Sequence, residues 1–183
     1  PPRSTLFPYT TLFRSETMEI ELFREQYDLS GFRLASPQQD DAELIAGEML
    51  GMEPWRTLNY SAASLRAYLL APDPSLHRYA VWVDRAIGGV IAVRYPWLRG
   101  AYLELIGLFP ERQKQGFGTV LLDWLERETE ARAANLWVLV SDFNHAAQRF
   151  YLRRGFQQVG AIEALVSAES SELLLRKVIR LPA

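Results

Sequence analysis

The stretch Glu111–Glu126, ERQKQGFGTVLLDWLE, places two glycines, Gly116 and Gly118, immediately before a run of leucines at helical spacing. The pattern predicts a helix whose first turn contains the glycines. Free backbone N–H groups at a helix start attract anions, and glycine has no Cβ to block a phosphate. A flexible turn between a strand and a helix explains the same glycines. A P-loop is disfavoured because no Gly-Lys-Ser/Thr follows, and a dinucleotide-binding turn because the third glycine is absent.

Composition limits the function classes. The chain has 183 residues, of which 49% are hydrophobic, so a single domain with a sizeable core is expected. Its net charge of −2 comes from interspersed charges, which argues against nucleic acid as a partner. It has no cysteine and only two distant histidines, so no metal site is expected, and a cytoplasmic location is compatible. No apolar run reaches the roughly 18 residues of a membrane span.

The first residues do not read as native sequence. Reverse translation of residues 1–15, PPRSTLFPYTTLFRS, gives a codon series that matches a common sequencing-library adapter read in frame. The segment also lacks the charged start and apolar centre of a signal peptide. We therefore expect a non-native tail over residues 1–15, a candidate start at Met18, and a single domain over residues 18–183.

The rest of the chain alternates strand-like and helical patterns in the order β-α-α-β-β-β-α-β-α-β-β. Ser61 is a candidate helix cap, and Asp84-Arg85 is a candidate hairpin turn between two β-rich runs. The run YPWLRG, residues 95–100, reads as a loop that could cover a bound acceptor. Residues 135–140, NLWVLV, are typical of a strand covered on both faces. The order predicts an α/β (α+β) fold, with a mixed sheet and helices on both faces.

A second pattern follows the next strand and adds to the glycine turn. Together the motifs resemble those of the GCN5-related N-acetyltransferase family, over about residues 32–180. The resemblance implies a mostly antiparallel central sheet of about seven strands, acetyl-CoA as the only cofactor, and transfer to an amine. The motifs are Leu108-x-Pro110, Gln113-x-x-Gly116-x-Gly118 and Asn144-x-x-Ala147-x-x-x-Tyr151-x-x-x-Gly155-Phe156.

The resemblance also implies which residues bind acetyl-CoA. In the family, the strand before the glycine turn separates from its neighbour, and its exposed backbone pairs with pantetheine. The asparagine that opens the next helix contacts the pantetheine arm, which maps to Asn144, although Asn144 is also a good N-cap. Lys114 could add charge against a phosphate or could be a solvated lysine. The strand positions map to Leu108, Phe109 and Pro110, and the pyrophosphate turn maps to Gln113, Lys114, Gln115, Gly116, Phe117, Gly118 and Thr119.

Two residues are candidates for proton transfer. Family members commonly use a tyrosine at the Tyr151 position to protonate the departing CoA thiolate; alternatively, Tyr151 packs its helix against the sheet. Glu104 is the candidate general base for the incoming ammonium. Strand alternation predicts that Glu104 and Leu108 share one face of the sheet. The alternative for Glu104 is a solvated glutamate or an ion pair with Arg94.

The acceptor is left open between a small-molecule amine and a protein amino group. Trp55, Tyr60 and Tyr68 lie where relatives build the acceptor pocket, although aromatic residues there are more often core. Ribosomal-protein N-terminal acetyltransferases of the family carry a glutamate in the strand before Asn144, where this chain has Leu139. With no cysteine, no covalent intermediate is expected, and a backbone N–H near Leu108 would polarise the thioester. The family often dimerises, so a homodimer is one expectation; a non-catalytic acyl-CoA-binding module is the alternative function.

Overall fold

The computed structural model describes residues 22–180, so the expected tail and the candidate start Met18 lie outside the described residues. No helix within this range is long and apolar enough to cross a membrane. The elements are β1 (Gln26–Leu29), β2 (Phe32–Ala35), α1 (Gln39–Met49), α2 (Ala62–Leu70), β3 (Leu76–Val83), β4 (Ala86–Trp97), β5 (Gly100–Leu108), α3 (Phe117–Thr129), β6 (Asn135–Ser141), α4 (His145–Arg153), β7 (Gln157–Glu163) and β8 (Ser171–Val178). A short 3₁₀ turn, Pro110–Arg112, links β5 to α3.

The described strands form one mixed sheet in the order β1-β2-β3-β4-β5-β6-β8-β7. Every neighbouring pair is antiparallel except β5 and β6, which confirms the mixed, mostly antiparallel sheet. The eighth strand is β1, which the sequence reading missed. It pairs with β2 through a tight turn at Gly31, whose φ of 89° suits glycine. A strand of four residues is too short to show a clear alternating pattern.

Helices cover both faces of the sheet, as predicted. On one face, which we call the α3 face, buried residues of α3 and α4 pack with Leu103 of β5 and Val138 of β6. On the other, the α1 face, buried residues of α1 and α2 pack with Leu105 and Phe109. Two of the helix starts have a clear local cause: the side chain of Ser61 caps α2, as predicted, and Gly116 is the N-cap of α3 in a left-handed conformation.

Of the two β-hairpin turns that flank β4, one agrees with its prediction, and the other lies in a stretch that was predicted as a loop. Asp84 and Arg85 form the predicted hairpin turn, both with positive φ. The stretch 95–100, however, is mostly strand rather than a loop. β4 continues through Trp97, and only Leu98 and Arg99 make the turn, again with positive φ at both residues. A two-residue turn of this kind matches the twist of the flanking strands, so the long hairpin needs no connecting loop.

β5 and β6 separate along their length, and this opens the sheet. Their parallel pairing covers only Gly100–Leu103 against Asn135–Val138. Beyond it, β5 continues to Leu108 paired with β4, and β6 continues to Ser141 paired with β8. Beyond Leu103 and Val138, the facing edges of the two strands are therefore unpaired with each other.

A β-bulge at Glu104 interrupts the regular alternation of β5 side chains between the two faces of the sheet. Val93 pairs with Leu103 and Ala92 with Leu105, so Glu104 is the extra residue on β5. The Glu104 carboxylate reaches Arg94, whose partners lie beside α2, whereas Leu108 packs with the α3-face cluster. The prediction that Glu104 and Leu108 share one face is therefore wrong, because regular alternation stops at the bulge.

Candidate functional site

A cavity of about 1050 Å³ opens where β5 and β6 separate. At one end its wall is the glycine turn and the start of α3. At the other end the wall is built by the segment between α1 and α2, by α2, and by the strand ends of β6 and β8. α4 closes the side between these two ends. One continuous space therefore connects the helix start to a region rich in aromatic and acidic side chains.

The glycine turn lines the cavity in a defined backbone conformation. Gln113 fixes it at one end by donating from its side-chain nitrogen to the carbonyl oxygen of Leu108, at 2.8 Å. Lys114 and Gly116 have positive φ values of 59° and 90°. Within residues 22–180, no acceptor bonds to the N–H groups of residues 114–118. Such a run of free N–H groups at a helix start is an anion-binding geometry, which favours the cradle over the flexible turn.

Glycine is needed at positions 116 and 118 for different structural reasons. A Cβ built at Gly116 would meet nothing within 4 Å, so this position faces open space, and its positive φ is the reason for glycine. A Cβ at Gly118 would lie 3.3 Å from the ring of Phe150, so glycine there lets α3 approach α4 closely. The open space beside Gly116 leaves room for a phosphate next to the free N–H groups of the turn.

Most of the predicted cofactor residues lie in the cavity wall. Three do not. Phe109 is buried on the α1 face and its N–H donates to the carbonyl oxygen of Gly88, Phe117 packs edge-on against Phe32, and Gln115 donates to the carbonyl oxygen of Glu111. The residues in the wall are Leu108, Pro110, Gln113, Lys114, Gly116, Gly118, Thr119, Asn144 and Tyr151, together with the base candidate Glu104.

Asn144 lies at the start of α4, and Tyr151 lies in its last turn. The side-chain oxygen of Asn144 accepts a hydrogen bond from the N–H of Ala147, which confirms its N-cap geometry. Tyr151 is only 4% exposed and packs in the α3-face cluster, yet it also lines the cavity. Burial raises the pKa of its phenol above the ordinary value, and Tyr102 adds to the shift. The phenol is therefore protonated at neutral pH and can donate a proton.

Glu104 is engaged in the ion pair that was the alternative to its catalytic role. Its Oε2 accepts from Nε of Arg94 at 2.7 Å, while Oε1 lies 3.4 Å from Nη2. Arg94 also donates to Asp73 at 2.8 Å, so one guanidinium holds two carboxylates. These contacts lower the pKa of Asp73 below its ordinary range. Burial, followed by the charge of Glu104, raises the pKa of the Tyr68 phenol.

The three aromatic residues suggested for the acceptor pocket all line the cavity. Tyr68 is on α2, whereas Trp55 and Tyr60 belong to the irregular segment between α1 and α2. The ring of Trp55 packs closely against the backbone of β5: a Cβ built at Gly107 would lie only 3.0 Å from the ring. This close approach explains why glycine stands at position 107.

The sequence reading missed three residues that line the same end of the cavity, Tyr102, Ser141 and Glu172. Ser141 and Glu172 face each other across β6 and β8, and the hydroxyl of Ser141 donates to Oε1 of Glu172 at 2.8 Å. Neither residue belongs to a local motif. Only the register between two strands that lie 31 residues apart brings them together, so no signal in one stretch of sequence could have found the pair.

Comparison with known proteins agrees with this geometry. A family model described as "Acetyltransferase (GNAT) family" matches residues 36–156. A GNAT-family protein from Desulfovibrio desulfuricans is 20% identical, with a TM-score of 0.65 over 81% of this chain and 98% of that chain. The ribosomal-protein-S18-alanine N-acetyltransferase of Escherichia coli is 18% identical, with a TM-score of 0.66 over 83% and 96% of the two chains. Nourseothricin acetyltransferase is 26% identical, with a TM-score of 0.54 over 60% and 69%.

The Desulfovibrio desulfuricans and Escherichia coli structures, at 20% and 18% identity, establish the fold. The family model covers most of the described domain, and the part that it matches includes β5, the glycine turn and α4. The chain belongs to the acetyltransferase (GNAT) family and is an acetyl-CoA-dependent N-acetyltransferase.

Proposed function

We propose that this enzyme transfers the acetyl group directly from acetyl-CoA to a primary amine, without a covalent enzyme intermediate. The observation that carries the proposal is one continuous cavity with an anion-binding turn at one end and carboxylates and aromatic rings at the other. A phenol, Tyr151, lies between these two ends. An amine nucleophile suits the acidic end, because it arrives as an ammonium ion that a carboxylate attracts.

The donor end would hold acetyl-CoA mainly through the backbone. The free N–H groups of residues 114–118 would bind the pyrophosphate, and the charge of Lys114 would add to that attraction. The edge of β5 that β6 leaves open, together with Asn144, would pair with the pantetheine arm. A free N–H on that edge near Leu108 would polarise the thioester carbonyl. Phe109 cannot supply this N–H, because it already bonds to Gly88.

Two side chains would move the protons. Bound acetyl-CoA supplies a thioester whose carbonyl carbon accepts the amine nitrogen and whose sulfur leaves as a thiolate. Tyr151 would donate its phenolic proton to that sulfur as the carbon–sulfur bond breaks. Glu104 would take the proton that the ammonium loses before attack, through Oε1, the oxygen that Arg94 holds less closely. As the amide forms, its nitrogen would lose a second proton, which restores the Tyr151 phenol directly or through water, and Glu104 would release its proton to solvent.

The acceptor class is supported by both the cavity and the relatives. The matched structures include enzymes named for nourseothricin and for the alanine of a ribosomal protein, so the fold serves both small and protein acceptors. In this chain Leu139 lines the cavity at the strand position where the ribosomal-protein enzymes carry a glutamate. We therefore favour an acceptor other than the ribosomal-protein terminus.

The test is a thiol-release assay with acetyl-CoA and a panel of primary alkylamines, diamines and lysine-containing peptides, with products identified by mass spectrometry. We expect acetylation of at least one amine, at a rate well above spontaneous aminolysis. Calorimetry measures acetyl-CoA binding separately. Tight acetyl-CoA binding without turnover on any amine would support the non-catalytic acyl-CoA-binding module instead.

A further inference from the structure

Three carboxylates line the cavity, and they differ in how their charge is balanced. Glu53 forms an ion pair with Arg56, and Glu104 forms one with Arg94. Glu172 has no basic partner within 4.0 Å among the residues that the structure describes. It is therefore the one cavity carboxylate in the described domain whose negative charge is not compensated by an ion pair.

The fold buries Glu172 and aims it at the acceptor end of the cavity. Glu172 is only 6% exposed. Leu173 and Leu175 of β8 pack in the α3-face cluster. Because side chains along a strand alternate between the two faces, Glu172 lies on the α1 face, as Glu104 does. Ser141 holds Oε1, while Oε2 finds no hydrogen-bond partner between residues 22 and 180. One oxygen is thus fixed, and the other is available to a ligand in the cavity.

An unpaired carboxylate in such a position is costly unless a cation joins it. Taking an ionised group out of water without a partner is strongly unfavourable, and buried charges in proteins are normally paired. Here burial raises the pKa of Glu172, the hydrogen bond from Ser141 lowers it, and the charge of Asp142 raises it again. The neighbourhood therefore disfavours the negative charge, and a bound cation would relieve that penalty.

The surroundings of Glu172 suit an ammonium ion. Burial raises the pKa of the Tyr60 phenol, and the negative charge of Glu172 raises it further. The pKa of Tyr102 is raised by burial and then by the charges of Glu104 and Glu172. Both phenols line the cavity and lie near enough to Glu172 for its charge to act on them. Aromatic rings beside a carboxylate are a common environment for alkylammonium groups, since ring faces also attract cations.

We propose that Glu172 binds the ammonium group of the acetyl acceptor, so that the enzyme selects alkylamines that are cationic at neutral pH. The inference rests on the proposed function only in taking this end of the cavity as the acceptor end. Glu104 is the less suitable residue for this task, because Arg94 already neutralises it. In this arrangement Glu172 holds the amine, and Ser141 orients the carboxylate.

The experiment compares the wild type with Glu172→Gln, which keeps a hydrogen-bond acceptor for Ser141 but removes the charge. The control is Glu163→Gln, an identical change at an exposed position of β7 outside the cavity. Calorimetry on the CoA-loaded enzymes measures binding of n-butylamine, 1,4-diaminobutane and, as an uncharged probe, n-butanol. Thermal unfolding checks that both variants fold.

We expect Glu172→Gln to weaken binding of the two amines about 10- to 100-fold, the worth of a hydrogen bond to a charged group. Binding of n-butanol and acetyl-CoA should change less than about twofold, and Glu163→Gln should resemble the wild type. Amine binding that is undetectable in the wild type, or unchanged in Glu172→Gln, overturns the inference. Amine binding that depends on Glu172 but leads to no acetylation supports the inference and overturns the proposed function.

Discussion

The two ends of the cavity are built in different ways. The end that we propose for acetyl-CoA presents mostly backbone: the N–H groups of residues 114–118 and the open edge of β5. These backbone groups come from one continuous stretch of chain, to which only Asn144, at the start of α4, is added from elsewhere. The acceptor end presents side chains that reach the cavity from separate elements, among them Tyr60, Tyr102 and Glu172. No two of these three are neighbours in the sequence.

The difference indicates how such an enzyme can change acceptors without losing its donor. Backbone groups recognise a phosphate whatever the side chains are, provided that glycine keeps the turn open. Side chains on a rigid sheet can each be replaced at little cost to the fold, and each replacement changes the charge or shape of the acceptor end. Substitutions that act on only one end can therefore separate the contributions of the two.

The largest effect is expected at Tyr151, which lies between the two ends. Tyr151→Phe removes the proton donor and should lower kcat about 100-fold or more, while the dissociation constant of acetyl-CoA changes less than about twofold. Steady-state kinetics and calorimetry measure the two quantities. Tyr79→Phe is the control, since it removes another buried hydroxyl, one that bonds to the carbonyl oxygen of Arg24 away from the cavity. Unchanged turnover in Tyr151→Phe would leave only its packing role.

The next effect isolates the donor end. Gly116→Ala places a methyl group in the open space of the turn and strains its backbone, so acetyl-CoA affinity should fall about 10- to 100-fold. Gly31→Ala is the matched control, because Gly31 has nearly the same φ, 89° against 90°, and lies outside the cavity wall, where an added Cβ would meet only the ring of Phe117 at 4.0 Å. The melting temperatures of both variants should fall by a similar amount, because each variant holds one alanine in the unfavourable left-handed conformation. Equal acetyl-CoA binding in the two variants would contradict the cradle.

The same contrast explains what the sequence could and could not predict. The donor end follows from local chemistry: glycines at a strand-to-helix turn, Asn144 as an N-cap, and Gly155 with φ 87° ending α4. The mixed sheet and helices on both faces were likewise readable from the order of the elements. Tertiary register was not. The bulge that moves Glu104 to the α1 face and the pairing of Ser141 with Glu172 depend on how distant strands align.

A smaller effect tests the base at the acceptor end. Glu104→Gln should lower kcat about tenfold at neutral pH, with a smaller loss at high pH, where the amine is already deprotonated. The ion pair complicates the result, because Arg94 also loses a partner. Asp73→Asn is therefore the control, since it removes the other carboxylate that Arg94 holds. Equal losses in the two variants would mean that Glu104 only positions Arg94, and a pH–rate profile of each variant distinguishes the cases.

The smallest effect concerns stability and the uncompensated charge of Glu172. Its folded-state pKa is raised above the ordinary value of 4.5, so the folded state binds more protons than the unfolded state between those two values. The free energy of unfolding should therefore fall as pH rises through that interval and stay lowered above it. Asp73 has the opposite sign, because its pKa is lowered and its contribution is lost as pH falls.

Urea unfolding of the ligand-free wild type and Glu172→Gln, at a series of pH values from about 4 to 8, measures this linkage. Glutamine has no charge to bury, so the variant should gain stability relative to the wild type as pH rises, seen as a higher urea midpoint. Curves that stay parallel would show that the Glu172 carboxylate is already stabilised in the free protein. Addition of 1,4-diaminobutane should then narrow the gap, because the bound diamine ion supplies the missing positive charge to the wild type alone.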